Sequence, residues 1–287
     1  TRTSTTRTRE SLPPMNLPVK GLSSLLSAAG PVAANAVLRV AAWGFLKSTF
    51  ERGLVISKYL LGAFLKVDLG DIDEAMENFH HAIQLDPNNA DFYYQLGDTL
   101  FLLQEFDEAS KNYQQAIKLE PNNANLYHSL GIAQFHLDQF DKAIKNYNHA
   151  IQINPDDAAV YNTLGMALIE INKIDEGIAN FYKSIKLEPE TVDAYNNLAN
   201  VFMTQNNIAK AMKNLEQAIK LDPNDAYLYN KLGVALDASA QFDEAIKNFH
   251  TAIKLDPNYA DAYYCLGITL TRKDQFDEAI KNFHTAI

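Results

Sequence analysis

One cysteine, Cys265, and one tryptophan, Trp43, are all that 287 residues hold of either type. A single thiol excludes a disulfide framework and any multi-cysteine metal site. The 12 glycines occur singly, so there is no glycine-rich loop of the kind that cradles phosphates. Basic residues are scarce after position 66. Residues 67–287 carry 16 Lys/Arg against 33 Asp/Glu, a balance of −17, while residues 1–66 carry nine against two, or +7. The sum of −10 argues against an overall nucleic-acid binder, whose affinity rests on neutralising phosphates. Long hydrophobic runs are missing as well. The most apolar stretch, Gly21–Phe50, is broken by Pro31, Asn35 and Arg39, which disfavours a membrane span because a charge near mid-bilayer costs several kcal/mol. Apolar residues make up 47% of the chain, enough to exclude global disorder.

What is present is periodic. Pro87, Pro121, Pro155, Pro189, Pro223 and Pro257 recur every 34 residues. Tyr59, Tyr93, Tyr127, Tyr161, Tyr195, Tyr229 and Tyr263 keep the same step. So do Gly97, Gly131, Gly165, Gly233 and Gly267, with Ala63 and Ala199 in the remaining slots. Ala75, Ala109, Ala143, Ala211, Ala245 and Ala279 form a further column, in which Gly177 fills the gap. A strict period of this length means stacked supersecondary units rather than one or two globular domains.

Each period reads as two helices. In the second unit Phe92, Leu96, Leu100 and Leu103 fall at helical spacing. After Glu105 a second run follows, with Ala109, Tyr113, Ala116 and Ile117 on one face. Asp107 and Glu108 in its first turn and Lys118 in its last suit the helix macrodipole. Asp107–Lys111, Asp141–Lys145, Asp243–Lys247 and Asp277–Lys281 are spaced for i,i+4 ion pairs. Proline then stops the helix, because it lacks an amide and disfavours helix in the residue before it.

The pattern aromatic–x2–Leu–Gly–x2–Leu, Ala–x3–Phe/Tyr–x2–Ala, Pro resembles the tetratricopeptide repeat family. It covers residues 56–287 as seven units, the last one truncated. The resemblance implies an all-α fold, a right-handed superhelical solenoid of antiparallel helix pairs. The fifth unit departs most, with Ala199 for Gly, Ala209-Lys210 for Asp-Glu and Leu215 for the aromatic, and is expected to be the loosest joint.

Residues 1–21 read as an extended basic arm whose Arg/Thr-rich composition favours an imported organelle, plastid or mitochondrion, over the cytoplasm. Residues 22–55 read as an apolar helical region and degenerate capping repeat. The competing reading is a docking helix whose Arg39, Trp43, Lys47 and Arg52 meet a partner or an anionic membrane surface. At the other end, Ala279, Phe283 and Ala286 lack a following unit in this sequence, and solenoid ends call for a cap.

No catalytic, cofactor-binding or metal-ligating constellation emerges. His80, His250 and His284 share one repeat position and read as structural. His128 and His136 sit two turns apart without matching carboxylates, and Cys265 has no neighbouring base in sequence. Function is therefore expected from the surface that stacking creates, and the chain is read as no enzyme.

In the family's geometry, first-helix positions 2, 5, 6, 9, 12 and 13 line the concave face. Those slots hold Asn162, Asn196 and Asn230 in register, flanked by Asn197 and Asn200. An asparagine row can pair with an extended peptide backbone, and it resembles the asparagine ladder of O-linked N-acetylglucosamine transferase. Ile132, Phe135, Met166, Ile169 and Met203 supply apolar slots, and Lys231 and Arg272 the only basic ones. Asp91, Asp98, Asp193, Asp237 and Asp261 make the groove acidic, so an acidic chaperone tail is a poor ligand and a basic or neutral segment a better one. The expectation is an interaction scaffold or linker that takes protein partners through the groove and both termini, without nucleic acid or cofactor. The alternative is the regulatory region of a glycosyltransferase-type enzyme whose catalytic domain follows residue 287.

Overall fold

The computed structural model describes residues 72–287. The arm expected at 1–21, the region expected at 22–55 with Arg39, Trp43, Lys47 and Arg52, and the first helix of the first unit lie outside the described residues. The described chain is all-α, with thirteen helices and no strand among the described residues. Helix α1 (Ile72–Leu85) is the second helix of the first unit. Five complete pairs follow: α2 (Ala90–Leu102) with α3 (Phe106–Leu119), α4 (Ala124–His136) with α5 (Phe140–Ile153), α6 (Ala158–Glu170) with α7 (Ile174–Leu187), α8 (Val192–Thr204) with α9 (Ile208–Leu221), and α10 (Ala226–Ala238) with α11 (Phe242–Leu255). The seventh unit contributes α12 (Ala260–Arg272) and α13 (Phe276–Ala286).

The helix ends follow from the loop residues. Asn89, Asn123, Asp157 and Asp225 cap α2, α4, α6 and α10, each side chain accepting a backbone amide of the first turn. Thr191 and Tyr259 hold the same place before α8 and α12 without a side-chain cap. The second helices stop one residue before a proline. Asn154, Glu188, Asp222 and Asp256 there take ψ values of 94°, 92°, 89° and 97°, off the helix, because the following ring excludes the α region. Tyr93, Tyr127, Tyr161 and Tyr263 each donate a hydroxyl to the carbonyl of the proline six residues earlier, at 3.1–3.3 Å. The tyrosine and proline columns are thus two ends of one bond.

Glycine and aromatic columns are also one feature. A Cβ on Gly97, Gly131, Gly165, Gly233 or Gly267 would lie 2.4–2.7 Å from a ring carbon of Tyr113, Tyr147, Phe181, Phe249 or Phe283. The ring of the second helix therefore packs straight onto the backbone of the first. In the fifth unit both members change together. Ala199 replaces glycine and Leu215 replaces the ring, and both are fully buried in a core running from Phe181 to Ala279. That unit is closed internally. The sparser contact lies at its entry, where α7 meets α8 and Val192 occupies the slot that Ala90, Ala124 and Ala158 fill with a small buried side chain.

The four i,i+4 ion pairs expected on the second helices do not close. Lys111 pairs instead with Glu108 at 2.5 Å, and Asp243 reaches Lys273 of the next unit. Successive first helices touch directly, α4 with α6, α6 with α8 and α10 with α12, while successive second helices stand further apart. The stack therefore curves with the first helices on the inside.

Candidate protein-binding groove

With each unit numbered from Ala90, Ala124, Ala158, Val192, Ala226 and Ala260, position 5 turns toward the next unit. His128, Asn162 and Asn230 are 7%, 9% and 7% exposed there. The polar atoms of His128 and Asn162 reach across the junctions. Tyr94 lies near Ser129 of the following unit. His128 Nε2 lies 3.0 Å from Thr163 Oγ1. The Thr163 hydroxyl donates to carbonyls of its own helix, so the imidazole N–H is the donor. Asn162 Oδ1 accepts from Asn197 Nδ2 at 3.0 Å, and Asn196 Oδ1 accepts from Lys231 Nζ at 2.9 Å. Every link joins position 5 to position 6 of the following unit. The sequence pattern places Asn162, Asn196 and Asn230 in one column, of which Asn162 and Asn196 bond to the next unit.

Asn230 breaks the series, because Cys265 occupies the partner slot. Its Nδ2 donates to Tyr259 Oη at 3.3 Å, and its Oδ1 is buried without a partner. Asn200 accepts a second bond from Lys231, whose ammonium also stands 4.6 Å from the centre of the Tyr227 ring. The other basic groove residue, Arg272, is held by Asp237, which also accepts from Thr269 Oγ1 at 2.9 Å. Both groove cations are therefore occupied by the chain's own side chains.

The acidic residues divide. Asp91, Asp193 and Asp261 are exposed along position 2, although partial desolvation of the Asp193 carboxyl by its surroundings, with the nearby Asp225, raises it above its ordinary range. Asp98 is withdrawn into the wall, where Oδ1 accepts from Tyr113 Oη at 2.7 Å. Burial pushes the Asp98 carboxyl up to about 7, with the Tyr113 and Tyr94 hydroxyls pulling the other way.

Ile132, Met166 and Met203 are half-buried at positions 9 and 12. Ile169 turns to its own unit, its Cδ1 2.6 Å from where a Cβ on Gly177 would sit. Phe135 packs edge-on to Phe140 at 5.3 Å and belongs to a larger aromatic group. His136 stacks on Phe106 of the preceding unit, with centroids 4.7 Å apart at 14°, and meets Phe101 edge-on at 5.3 Å. Sequence reading isolates Phe135 and misses this group. Its signal is the pairing of aromatics at positions 12 and 17 in the second and third units only.

No group of three or more His, Cys, Asp or Glu among the described residues could hold a metal ion. No helix among the described residues is long and apolar enough to cross a membrane. Burial, then Asp261 and Asp237, push the Cys265 thiol up, away from the thiolate that a nucleophile requires.

Comparison with known proteins agrees with this geometry. Models described as TPR repeat and tetratricopeptide repeat match residues 65–104, 97–138, 124–157, 146–179, 199–238 and 240–274. No curated protein matches the sequence. A crystal structure of MamA is 27% identical, over 55% of this chain and 92% of that one, with a TM-score of 0.51. A tetratricopeptide repeat protein from Parabacteroides merdae ATCC 43184 is 18% identical over 80% of this chain and 91% of its own, at 0.65. A chain of the APC/C hetero-tetramer Cut9–Hcn1 is 17% identical over 92% of this chain and 51% of its own, at 0.66. These last two show the fold alone. Matched by its family models over more than half its length, with the helix pairs and ring-on-glycine packing of the repeat in place, the chain belongs to the tetratricopeptide repeat family and forms a protein-interaction scaffold.

Proposed function

We propose that the chain is a non-catalytic linker subunit that holds an extended protein segment of basic or neutral character along the inside of its curve. The observation that carries this reading is the sign of the exposed charge in the groove. Lys231 and Arg272 are consumed by Asn196, Asn200 and Asp237, whereas Asp91, Asp193 and Asp261 face solvent at one position of three units. Between them run the apolar side chains of Ile132, Met166 and Met203, suited to every second or third side chain of a bound strand. An acidic segment would meet like charge without a free cation to offset it.

Three labelled dodecapeptides test this: Gly-Lys-Leu, Gly-Ser-Leu and Gly-Glu-Leu, each repeated four times. Fluorescence anisotropy is expected to rank them lysine first, serine second and glutamate last, with a steep salt dependence for the first. The triple change Asp91→Lys, Asp193→Lys, Asp261→Lys is expected to invert that order. If the order survives the triple change, the groove's charge does not select the ligand. Met166→Gln is expected to weaken the lysine and serine peptides alike.

A further inference from the structure

Position 9 is apolar or an amide in five of the six described first helices: Ile132, Met166, Asn200, Val234 and Ile268. In α2 it is Asp98. That carboxylate has one well-formed bond, from Tyr113 of α3. Its Oδ2 is sealed from solvent and has no hydrogen-bond partner. Tyr94, one turn earlier on α2, stands beside it without closing a bond of good geometry. The Tyr94 and Tyr113 rings lie 5.9 Å apart at 44°.

The groups that face Asp98 are few. They are Tyr94 on its own helix, Tyr113 on α3 and, through the Tyr94 hydroxyl, Ser129 on α4. Asp91 is the next ionisable side chain near Tyr94, and no Lys, Arg or His of the described residues bonds or pairs with Asp98. A carboxylate drawn from water without a cation is costly, and the Tyr113 hydroxyl on Oδ1 offsets only part of that cost. Other units fill the slot with Ile, Val or Met and stack as well. A carboxylate flanked by two tyrosine rings has the composition that receives an ammonium or guanidinium, through the charge and through the ring faces.

We propose that Asp98, Tyr94 and Tyr113 form a subsite for one lysine or arginine side chain of the bound segment, whose N–H takes the unpartnered Oδ2 by displacing the Tyr94 side chain that stands beside it. This rests on the groove reading above and adds the residue at which the charge is read. The raised carboxyl of the free protein gives the subsite a proton balance. Where Asp98 carries a proton, entry of the cation releases that proton to solvent and leaves a carboxylate–ammonium pair. Where Asp98 is already ionised, none is released. Affinity for a cationic segment therefore rises with pH up to about 7 and levels off above it.

The test uses the full chain and the Gly-Lys-Leu dodecapeptide, by calorimetry between pH 6 and pH 8 in two buffers of different ionisation enthalpy. Binding is expected to release a fraction of a proton that falls toward zero by pH 8. Asp98→Asn keeps an acceptor for Tyr113 but loses the charge. It is expected to bind about tenfold more weakly and to release no proton through this group. Were no peptide of any charge to bind, the groove reading itself would be wrong. Binding of equal strength by native protein and Asp98→Asn, with equal proton release, would overturn the subsite alone. Should Asp98→Asn not fold, the carboxyl carbon resonance of Asp98 in the native protein decides. Its titration midpoint must fall when the lysine peptide saturates and stay put with the serine peptide, and an unmoved midpoint refutes the proposal.

Discussion

Asn197 Nδ2 donates to Asn162 Oδ1 at 3.0 Å across the junction between the fourth and fifth units. It is the second of three such links, after His128–Thr163 and before Asn196–Lys231, each spanning 35 residues. Removing one partner leaves the other unpaired in a largely dry junction. Asn162→Ala is therefore expected to destabilise the fourth–fifth junction by roughly 1–3 kcal/mol. The double change Asn162→Leu, Asn197→Leu is expected to cost less than Asn162→Ala alone. Native-state hydrogen exchange of α8 measures both, and a double change that costs more would mean that packing, not the amide pair, holds the joint.

The next link is missing because position 6 of the seventh unit is Cys265, a weak donor. Its would-be partner, Asn230 Oδ1, is buried and unsatisfied. Cys265→Ser places at that position a hydroxyl like those of Ser129 and Thr163. It is expected to stabilise the last junction by about 1 kcal/mol, read as slower exchange of the α12 amides. Cys265→Ala is expected to give no gain, which separates the hydroxyl from mere loss of the thiol.

How legible this was in the sequence depends on what a column records. Proline, tyrosine and glycine repeat because each meets the same constraint in every unit: a helix stop, a bond to the proline carbonyl, a ring against a backbone. Residues under a repeated constraint are visible one column at a time. The junction links are not, because His–Thr, Asn–Asn and Asn–Lys solve one problem with three chemistries. Only the 35-residue offset, one more than the period, joins them. The asparagine column was visible, but not that its amides face the next unit. Asp98 stood out as acidic, while its loss of solvent depends on Tyr94 and Tyr113, which lie 4 and 15 residues away in sequence. The fifth unit looks defective when Ala199 and Leu215 are read separately and sound when they are read as one exchange.

That exchange predicts a compensated pair elsewhere. In Gly131→Ala the new methyl would lie 2.4 Å from a ring carbon of Tyr147, and the second helix must shift. The expected cost is roughly 1–3 kcal/mol. Adding Tyr147→Leu reproduces the Ala199–Leu215 arrangement and is expected to recover part of that loss, although Tyr147→Leu alone leaves a void and destabilises. A double-mutant cycle in urea measures the coupling, and strict additivity would show that the third unit does not use the fifth unit's solution.

The turn between the helices of a unit offers a gain in stability. Gln104, Asp138, Asn172, Asn206, Ala240 and Asp274 all have φ of 56–62°, in the left-handed region where a Cβ is strained. Asp and Asn tolerate it through local hydrogen bonding, whereas alanine has no such relief. Ala240→Gly is expected to add about 1 kcal/mol, and Asn172→Gly distinctly less. Thermal and urea denaturation of the two variants side by side test the difference, and equal gains would mean that the asparagine is as strained as the alanine.

Two buried titratable groups make stability depend on pH with opposite sign. Burial lowers His128 to about 4, with Asp157 pulling the other way. Between its ordinary value near 6.5 and that figure, the unfolded chain binds a proton that the folded one refuses. Stability from this site is full above about 6.5 and is lost as pH falls toward 4. Asp98 behaves inversely. Burial raises it to about 7, so between about 4 and 7 the folded chain keeps a proton that the unfolded one releases, and stability is lost as pH rises. Each slope amounts to roughly 3–4 kcal/mol over its window, and in the native chain they largely cancel between pH 4 and 6.5. Urea denaturation across that range is expected to be nearly flat for the native protein. Asp98→Asn is expected to gain stability with rising pH, and His128→Gln to lose it. Parallel profiles for the two variants would show that neither group is buried as described, because opposite slopes follow from the sign of each shift whatever its size.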